Sequence, residues 1–466
     1  MTLLELLQTY SRSDAVPMHM PGHKRNTDLA PYLHTLSASL DITEIDGFGN
    51  LHDPEGLLSE HMQAAANLWG SKQAWWLVGG STAGLLAAVD AATQTGDKVL
   101  IARNCHKSVY NACMLCHLKT AYIQPHLFPE HSFADCITPE QVTAALTQHP
   151  DTRLVVITSP TYEGPCSDIY KISKDVHEHG ALLLVDEAHG AHLGLHPEFP
   201  ASAVTQGADI VVQSLHKTLP CLTQTAILHL CSDRVSAHEL AFRLSVYQTS
   251  SPSYLLMASI DSCVQLLTER KAELFSGWRD TITLFYQTIS LRFLQTPLFG
   301  NPYADPSKLL ISTAGTSISG PALAEILRTR YQIETEMCTA DTVLCMTGMG
   351  DSPRSILRLA AALNEIDADL QSIHTPTVLP LPVPQQVLPA YAAAKAETTV
   401  LPITQAAGCV AGDYLWAYPP GIPLVVPGEF VTTELIAYID YAADAGVSIN
   451  SAKPVPKGSI RVLKTT

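Results

Sequence analysis

Apolar positions along this chain follow two alternating rhythms: short runs rich in branched residues, and longer stretches with helical spacing. Leu57 to Trp69 reads as a helix, Ala74 to Val78 as a short strand, Ser81 to Ala92 as a helix and Lys98 to Ala102 as a strand. Residues 107–118 read as another helix, and apolar strands follow at Leu154–Ile157, Ala181–Val185, Asp209–Val212 and Thr225–His229. Strands separated by helices predict a mainly parallel sheet covered on both faces. A helical stretch from Gln265 to Phe293 closes this block. New strand and helix signals appear at Lys308 to Ser312 and Pro321 to Tyr331. Pro376, Pro380, Pro382, Pro384 and Pro389 predict an extended connector over 376–389, because proline at that density continues neither a helix nor a central strand. A last helix, Thr432 to Ala445, has Gly446 placed to cap it.

The leading segment lacks this rhythm. Pro17 to Arg25, Asp41 to Gly47 and Leu51 to Gly56 are rich in Gly, Pro and His, and such loops line sites more often than they form core. The expected organisation is a site-lining segment at 1–55, a large domain at 56–295 and a smaller C-terminal domain at 296–466. No internal repeat is visible.

Composition narrows the function classes. The 466 residues are 46% hydrophobic and 15% charged, as in a globular chain with room for more than one domain. A net charge of −16 argues against a nucleic-acid partner and suits a cationic substrate. Met1 to Glu5 has no basic leader pattern, and no apolar run approaches the roughly 20 residues of a membrane span, so the reading is a soluble, cytoplasmic chain without a membrane partner. Eleven cysteines, an odd number, suggest reduced thiols. Cys113-Met114-Leu115-Cys116-His117 spells a haem-attachment pattern. It falls on an expected helix and would require export, so neither haem nor any metal is expected.

Lys217 carries the strongest chemical signal. It lies in Ser214-Leu215-His216-Lys217-Thr218, after the run Asp209 to Val212, while the run Ala181 to Val185 ends in Asp186-Glu187-Ala188-His189-Gly190. The spacing, 217 − 186 = 31 residues, suits one strand–crossover–strand unit. An acid and a lysine at the carboxyl ends of neighbouring strands are what pyridoxal phosphate (PLP) requires: the lysine binds it covalently and the aspartate keeps its ring nitrogen protonated. Gly79-Gly80-Ser81-Thr82-Ala83-Gly84 opens a helix after a strand, where free N–H groups and hydroxyls hold either a phosphate or an ordinary cap. No Gly-Lys-Ser/Thr follows, so this is not a Walker loop, and Asp186 to His189 spells a helicase box by coincidence. His106 follows the strand at 98–102, again at the edge where open α/β sheets bind ligands. Its imidazole suits one face of a cofactor ring, with small Ala188 on the other. Ser214 and His216 flank the lysine as further phosphate donors, and a hydroxyl of the 158–164 stretch is placed for the ring oxygen.

These segments together resemble the Orn/Lys/Arg decarboxylase family of prokaryotic fold-type I PLP enzymes. The resemblance rests on PGHKR, DITEIDGFGNLHDPEG, GGSTAG, RNCHKSVYNA, SPTYEG, LLVDEAHGAH, SLHKTLPCLTQTA, QTSSPSYLLMASID and YPPGIPLVVPGE, from residue 21 to about 430. The spacing is similar to the short members without an N-terminal wing domain. It implies the α/β fold of PLP-dependent transferases, of aspartate aminotransferase type, with a mainly parallel sheet domain and a smaller C-terminal α+β domain. It also implies that Lys217 carries PLP, Asp186 pairs with the ring nitrogen and His106 stacks on the ring. Gly80, Ser81, Thr82, Ser214 and His216 would hold the phosphate, and Thr249 or Ser250 would reach that of the neighbouring subunit.

Two departures bear on the substrate. Gln405-Ala406-Ala407-Gly408-Cys409 stands where the family has Glu-Ala-Ile-Gly-Arg, and Gly412 stands where an acid is usual, with Asp413 beside it. The implied activity is α-decarboxylation of a basic L-amino acid, arginine ahead of lysine and ornithine. Another PLP reaction, such as transamination or aldolase-type cleavage, and an idle amino-acid-binding relative remain alternatives. A basic side chain needs carboxylates at the far end of its pocket, and Glu44, Asp46 and Asp413 are the candidates. The polar turn at 248–252 and the loops at 41–56 have no evident partner in their own chain, so a homodimer or higher homo-oligomer with shared sites is expected.

Overall fold

The computed structural model describes residues 1–29, 31–373, 379, 382–418, 422–444 and 447–464. The chain divides into two compact units, Met1–Ala92 with Leu182–Ser276, and Thr93–Ala181 with Gly277–Thr466. The central sheet comprises β1 (Gln73–Leu77), β2 (Lys98–Ala102), β3 (Lys119–Ile123), β4 (Thr152–Thr158), β5 (Leu182–Asp186), β6 (Ile210–Ser214) and β7 (Ala226–Leu230). Six of these lie within two residues of the apolar runs. The seventh, β3, has only Ile123 buried, so it carries no apolar run to read.

In the first unit the order is β1-β7-β6-β5. Every residue of β5, β6 and β7 is buried, which is why each reads as a continuous apolar run. β5 and β6 are parallel, with Leu184 opposite Ile210 and Asp186 opposite Val212. β7 runs antiparallel to both β6 and β1. The short link from Ser214 to Ala226 holds only a one-turn helix, too little for the crossover that a parallel return needs. Helix Gly80–Ala92 packs on these strands: a Cβ at Gly84 would come within 2.5 Å of Leu77 and 3.0 Å of Val212.

The leading segment packs more than its composition suggests. Helix Leu3–Ser11 opens with a Thr2/Glu5 capping box, and the Leu3 N–H donates to Asp261 at 2.7 Å. Leu3, Leu7, Ile42, Phe48 and Leu51 are buried, so this segment contributes core as well as loops. Helix Tyr254–Thr288, 35 residues long, begins well before the stretch read from Gln265.

In the second unit β4-β2-β3 are parallel neighbours, flanked in sequence by helices Lys107–Leu115, Pro139–Gln148 and Ile169–Glu178. The first of these stops before 118 because His117 adopts a left-handed backbone, φ 54°. Three small sheets follow. β8 (Lys308–Ser312), β9 (Met337–Cys338) and β10 (Thr342–Met346) form the order β8-β10-β9. β11 (Thr398–Pro402), β12 (Leu415–Tyr418), β13 (Ile422–Val425), β14 (Ser448–Ser451) and β15 (Ser459–Leu463) form the pairs β11-β15 and β13-β12-β14. Ile403, Leu415, Val425, Val431, Leu435 and Ile460 make the core beneath them. Helix Thr433–Asp444 matches its expected span, while the cap at Gly446, Pro376, Pro380 and Pro419-Pro420-Gly421 lie outside the described residues. In the rest of the connector, the Val387 and Leu388 N–H groups both donate to Gly428. Among the described residues no helix is long and apolar enough to cross a membrane, and all eleven cysteines are free.

Candidate active site

The parallel pair β5 and β6 delivers Asp186 and Lys217 to the same sheet edge. β6 passes at Ser214 directly into the one-turn helix Leu215–Thr218, which presents Lys217. Its Nζ lies 3.0 Å from His189 Nε2. Asp186 closes β5, is 2% exposed, and accepts the Ala188 N–H at 3.1 Å. Burial pushes the Asp186 carboxyl above its ordinary pKa; the Lys217 charge and the Ala188 N–H pull the other way without cancelling it. A carboxylate held on these terms gains from a further cation placed against it.

The expected phosphate-binding residues cluster at the start of helix Gly80–Ala92. Gly80 has φ 69°, which favours glycine, and its N–H donates to Gln224 at 2.9 Å. The Ser214 hydroxyl donates to Ser81 Oγ at 3.0 Å, so β6 brings a second hydroxyl to the helix start. Thr82 is exposed. His216 holds its Nδ1 2.9 Å from the Thr225 carbonyl, and burial lowers its pKa against the pull of that hydrogen bond. These residues fit PLP: an under-compensated buried acid for a ring cation, a lysine in the turn of helix that follows the next strand, and a helix start with two hydroxyls for a phosphate.

Other candidates are spread more widely. His106 belongs to the second unit, where it caps helix Lys107–Leu115 with Nδ1 2.8 Å from Ser108 Oγ. Asp413, also in the second unit, is 4% exposed and accepts the Lys453 N–H at 2.7 Å. In the first unit, Glu44 has a buried Oε1 with no partner, and Asp46 is exposed. Burial, then the charge of Glu44, pushes the nearby Tyr254 hydroxyl up. Thr249 and Ser250 are exposed. The expectation that the 248–252 turn and the 41–56 loops lack partners in their own chain is corrected: His52 Nε2 lies 2.8 Å from the Thr249 carbonyl, Tyr254 donates to Gly49, and Gln248 Oε1 accepts the Val78 N–H at 2.9 Å.

His189 lies outside the residues the sequence pattern assigns to the site, within the coincidental Asp186–His189 box. The signal available was its position three residues past a strand-ending aspartate. The pattern also missed the polar layer behind the site. Glu187 accepts from Ser202 Oγ at 2.7 Å, the Ala203 N–H at 2.7 Å and Gln213 Nε2 at 2.6 Å, and burial pushes it up to about 7. Gln213 Oε1 lies 3.1 Å from His229 Nε2, and burial lowers His229 to about 3. The two family departures have local explanations within this chain. A Cβ at Gly412 would meet the Thr398 methyl at 2.5 Å, so an acid there requires Thr398 to shift. Gln405 is exposed, and Cys409 packs against the Ile403–Val431 core.

Known structures share this architecture. The Francisella novicida lysine decarboxylase LdcF superposes with a TM-score of 0.80 at 17% identity, over 99% of this chain and 81% of that one. The Nostoc alanine–glyoxylate aminotransferase superposes with a TM-score of 0.53 at 15% identity, over 76% and 98%. The fold is that of fold-type I PLP enzymes, with a mainly parallel sheet and a smaller C-terminal domain. Sequence similarity is more specific. The arginine decarboxylase of Bacillus subtilis strain 168 is 32% identical over 476 residues, 98% of this chain and 96% of that protein. Residues 2–291 match the family model for the Orn/Lys/Arg decarboxylase major domain, and 374–449 that for its C-terminal domain. The chain belongs to the Orn/Lys/Arg decarboxylase family, and it is a decarboxylase.

Proposed function

We propose that this enzyme decarboxylates a basic L-amino acid at Cα, arginine ahead of lysine and ornithine, using PLP held at Lys217. The observation that carries the reading is the pairing of Lys217 and Asp186 at the ends of adjacent parallel strands. Similarity to an arginine decarboxylase along nearly the whole chain supports arginine as first choice.

When bound, PLP supplies a ring that accepts the electron pair left by the departing carboxylate. Asp186 keeps a proton on the ring nitrogen, in a pocket whose burial strengthens that interaction. Gly80, Ser81, Thr82, Ser214 and His216 would hold the phosphate, and Ala188 would pack one ring face. His106 is assigned to the other face on its motif. Lys217 tethers the cofactor and, with its Nζ beside His189 Nε2, returns a proton to the substrate Cα. Glu44 and Asp46 are the carboxylates offered to the substrate cation, with the motif-assigned Asp413. Thr249 or Ser250 completes the site of a second subunit, so the active unit is a homodimer or a larger homo-oligomer in solution, in the cytoplasm.

Incubating the PLP-loaded protein with the twenty amino acids, and scoring CO2 against α-keto acid, tests the reaction. Arginine, lysine or ornithine should release CO2, while glutamate, aspartate and the aromatic amino acids should not. No CO2 from any basic amino acid overturns the reading. Mixing a Lys217→Ala chain with one changed at both Thr249 and Ser250 should restore activity after subunit exchange; no recovery removes the shared site.

A further inference from the structure

The second unit contains a cavity of about 100 Å³ that includes none of the candidate PLP residues of the first unit. Asn104, from the loop after β2, and Gln124, from the loop after β3, reach it, and so does Glu163, beyond β4. Tyr438 and Tyr441 of helix Thr433–Asp444 close another side, and Phe133 and Leu424 contribute apolar wall.

Its polar groups are unusual for a structural void. Asn104 is 8% exposed, and its Oδ1 is buried without a hydrogen-bond partner. Gln124 is in the same state at both Oε1 and Nε2. A dry void lined with such groups is costly, because each unmet polar atom forfeits its desolvation energy. Glu163 is 5% exposed. Burial pushes its carboxyl up to about 7, against the opposing pull of its own N–H, Lys308 and Thr161.

The sign of the missing partner follows from the lining. Asn104 Oδ1 and Gln124 Oε1 are unmet acceptors against the one unmet donor, Gln124 Nε2, and Glu163 adds a carboxylate. Arg103 also lines the cavity, but its guanidinium is engaged by Glu429 at 2.6 and 2.9 Å and by the Leu424 carbonyl at 3.2 Å. Acceptors and a carboxylate suit a cation, and the apolar remainder suits a short hydrocarbon chain.

We propose that this cavity is a ligand site within the second unit, and that it binds a short aliphatic primary ammonium ion. The cation is placed among Asn104 Oδ1, Gln124 Oε1 and Glu163, with its methylenes against Phe133 and Leu424. Decarboxylation of a basic amino acid yields amines of this class, so the enzyme would sense its own kind of product. That last point rests on the function proposed above; the binding site does not.

The test uses enzyme treated with borohydride, which closes a Lys217-bound cofactor to exchange with amines. Calorimetric titration with 1,4-diaminobutane should show one site per chain, and 1,4-butanediol should give none. Glu163→Gln should weaken the diamine at least about tenfold, the loss of one charge-assisted contact. Ala442→Phe fills the cavity without changing charge and should abolish binding, and Gln124→Leu serves as a third variant if either misfolds. All should keep the cofactor absorbance of the parent. Absence of diamine binding, or binding that survives every folded variant unchanged, overturns the site. If the diamine binds as expected while native enzyme releases no CO2 from basic amino acids, the cavity assignment stands and the decarboxylase reading of its purpose falls.

Discussion

Asp186 and Glu429 are both buried carboxylates, and they are held on opposite terms. Glu429 is fully buried, yet it takes two hydrogen bonds from Arg103, at 2.6 and 2.9 Å, and one from the Val426 N–H at 2.8 Å. Arg103 in turn lies 4.6 Å over the Tyr122 ring. Burial alone pulls the Arg103 guanidinium down, but Glu429, then Tyr110, carry it above its ordinary value. At Asp186 the contest goes the other way: burial outweighs both Lys217 and the Ala188 N–H. A buried charge matched within its own chain is architecture. One left partly unmatched beside a lysine marks where another charged group is expected to bind.

The largest effect should come from Lys217→Ala. On the reading that Lys217 holds PLP and moves a proton, kcat should fall at least about 1000-fold, within the range for lost acid–base and covalent assistance. Borohydride should then fix no cofactor mass on the peptide that carries residue 217. Retention of both colour and activity would exclude the lysine.

Next in size is Glu429→Gln, which probes the matched region. It leaves the Arg103 charge buried without its counter-ion and should lower unfolding free energy by about 3–5 kcal/mol. Denaturant titration measures this directly. A loss below about 1 kcal/mol would show that the pair is not structural.

Asp186→Asn should lower kcat by about 100- to 1000-fold while PLP stays bound, because a neutral acceptor stabilises a ring cation poorly. The same substitution should stabilise the cofactor-free protein. The folded pKa of Asp186 is raised, so the folded chain binds that proton more tightly than the unfolded chain. The group's contribution to stability is therefore fully present below the unfolded value, about 3.9, and is lost as pH rises through the folded one. The gain from Asn should be complete where Asp186 is ionised and should vanish below about pH 3.9. A destabilised cofactor-free variant at neutral pH would remove the contrast with Glu429.

Much of the sheet was legible because β5, β6 and β7 are buried on both faces and spell apolar runs. Lys217 and Asp186 were legible because the chemistry demands those side chains at strand ends. β3 was not, since an edge strand with one buried residue has no apolar pattern. The Arg103–Glu429 pair spans 326 residues, and no local rule connects its partners. His189 was hidden for a different reason: its motif was visible, but only the path of the turn after Asp186 brings its ring to the Lys217 amine.

The smallest effect separates two acids of the leading segment. Glu44 has a buried, unpartnered oxygen, whereas Asp46 is exposed. If both face the substrate cation, Glu44→Gln should raise KM for the basic amino acid by about tenfold, and Asp46→Asn by less, because solvent screens an exposed charge. Neither should alter PLP affinity, and both should leave kcat nearly unchanged, since the contact is made equally before and during bond breaking. A larger KM effect at Asp46 than at Glu44 would mean that Asp46 is covered in the working assembly. That outcome would point to a second subunit closing over the 41–56 loops, even though those loops already find partners within their own chain.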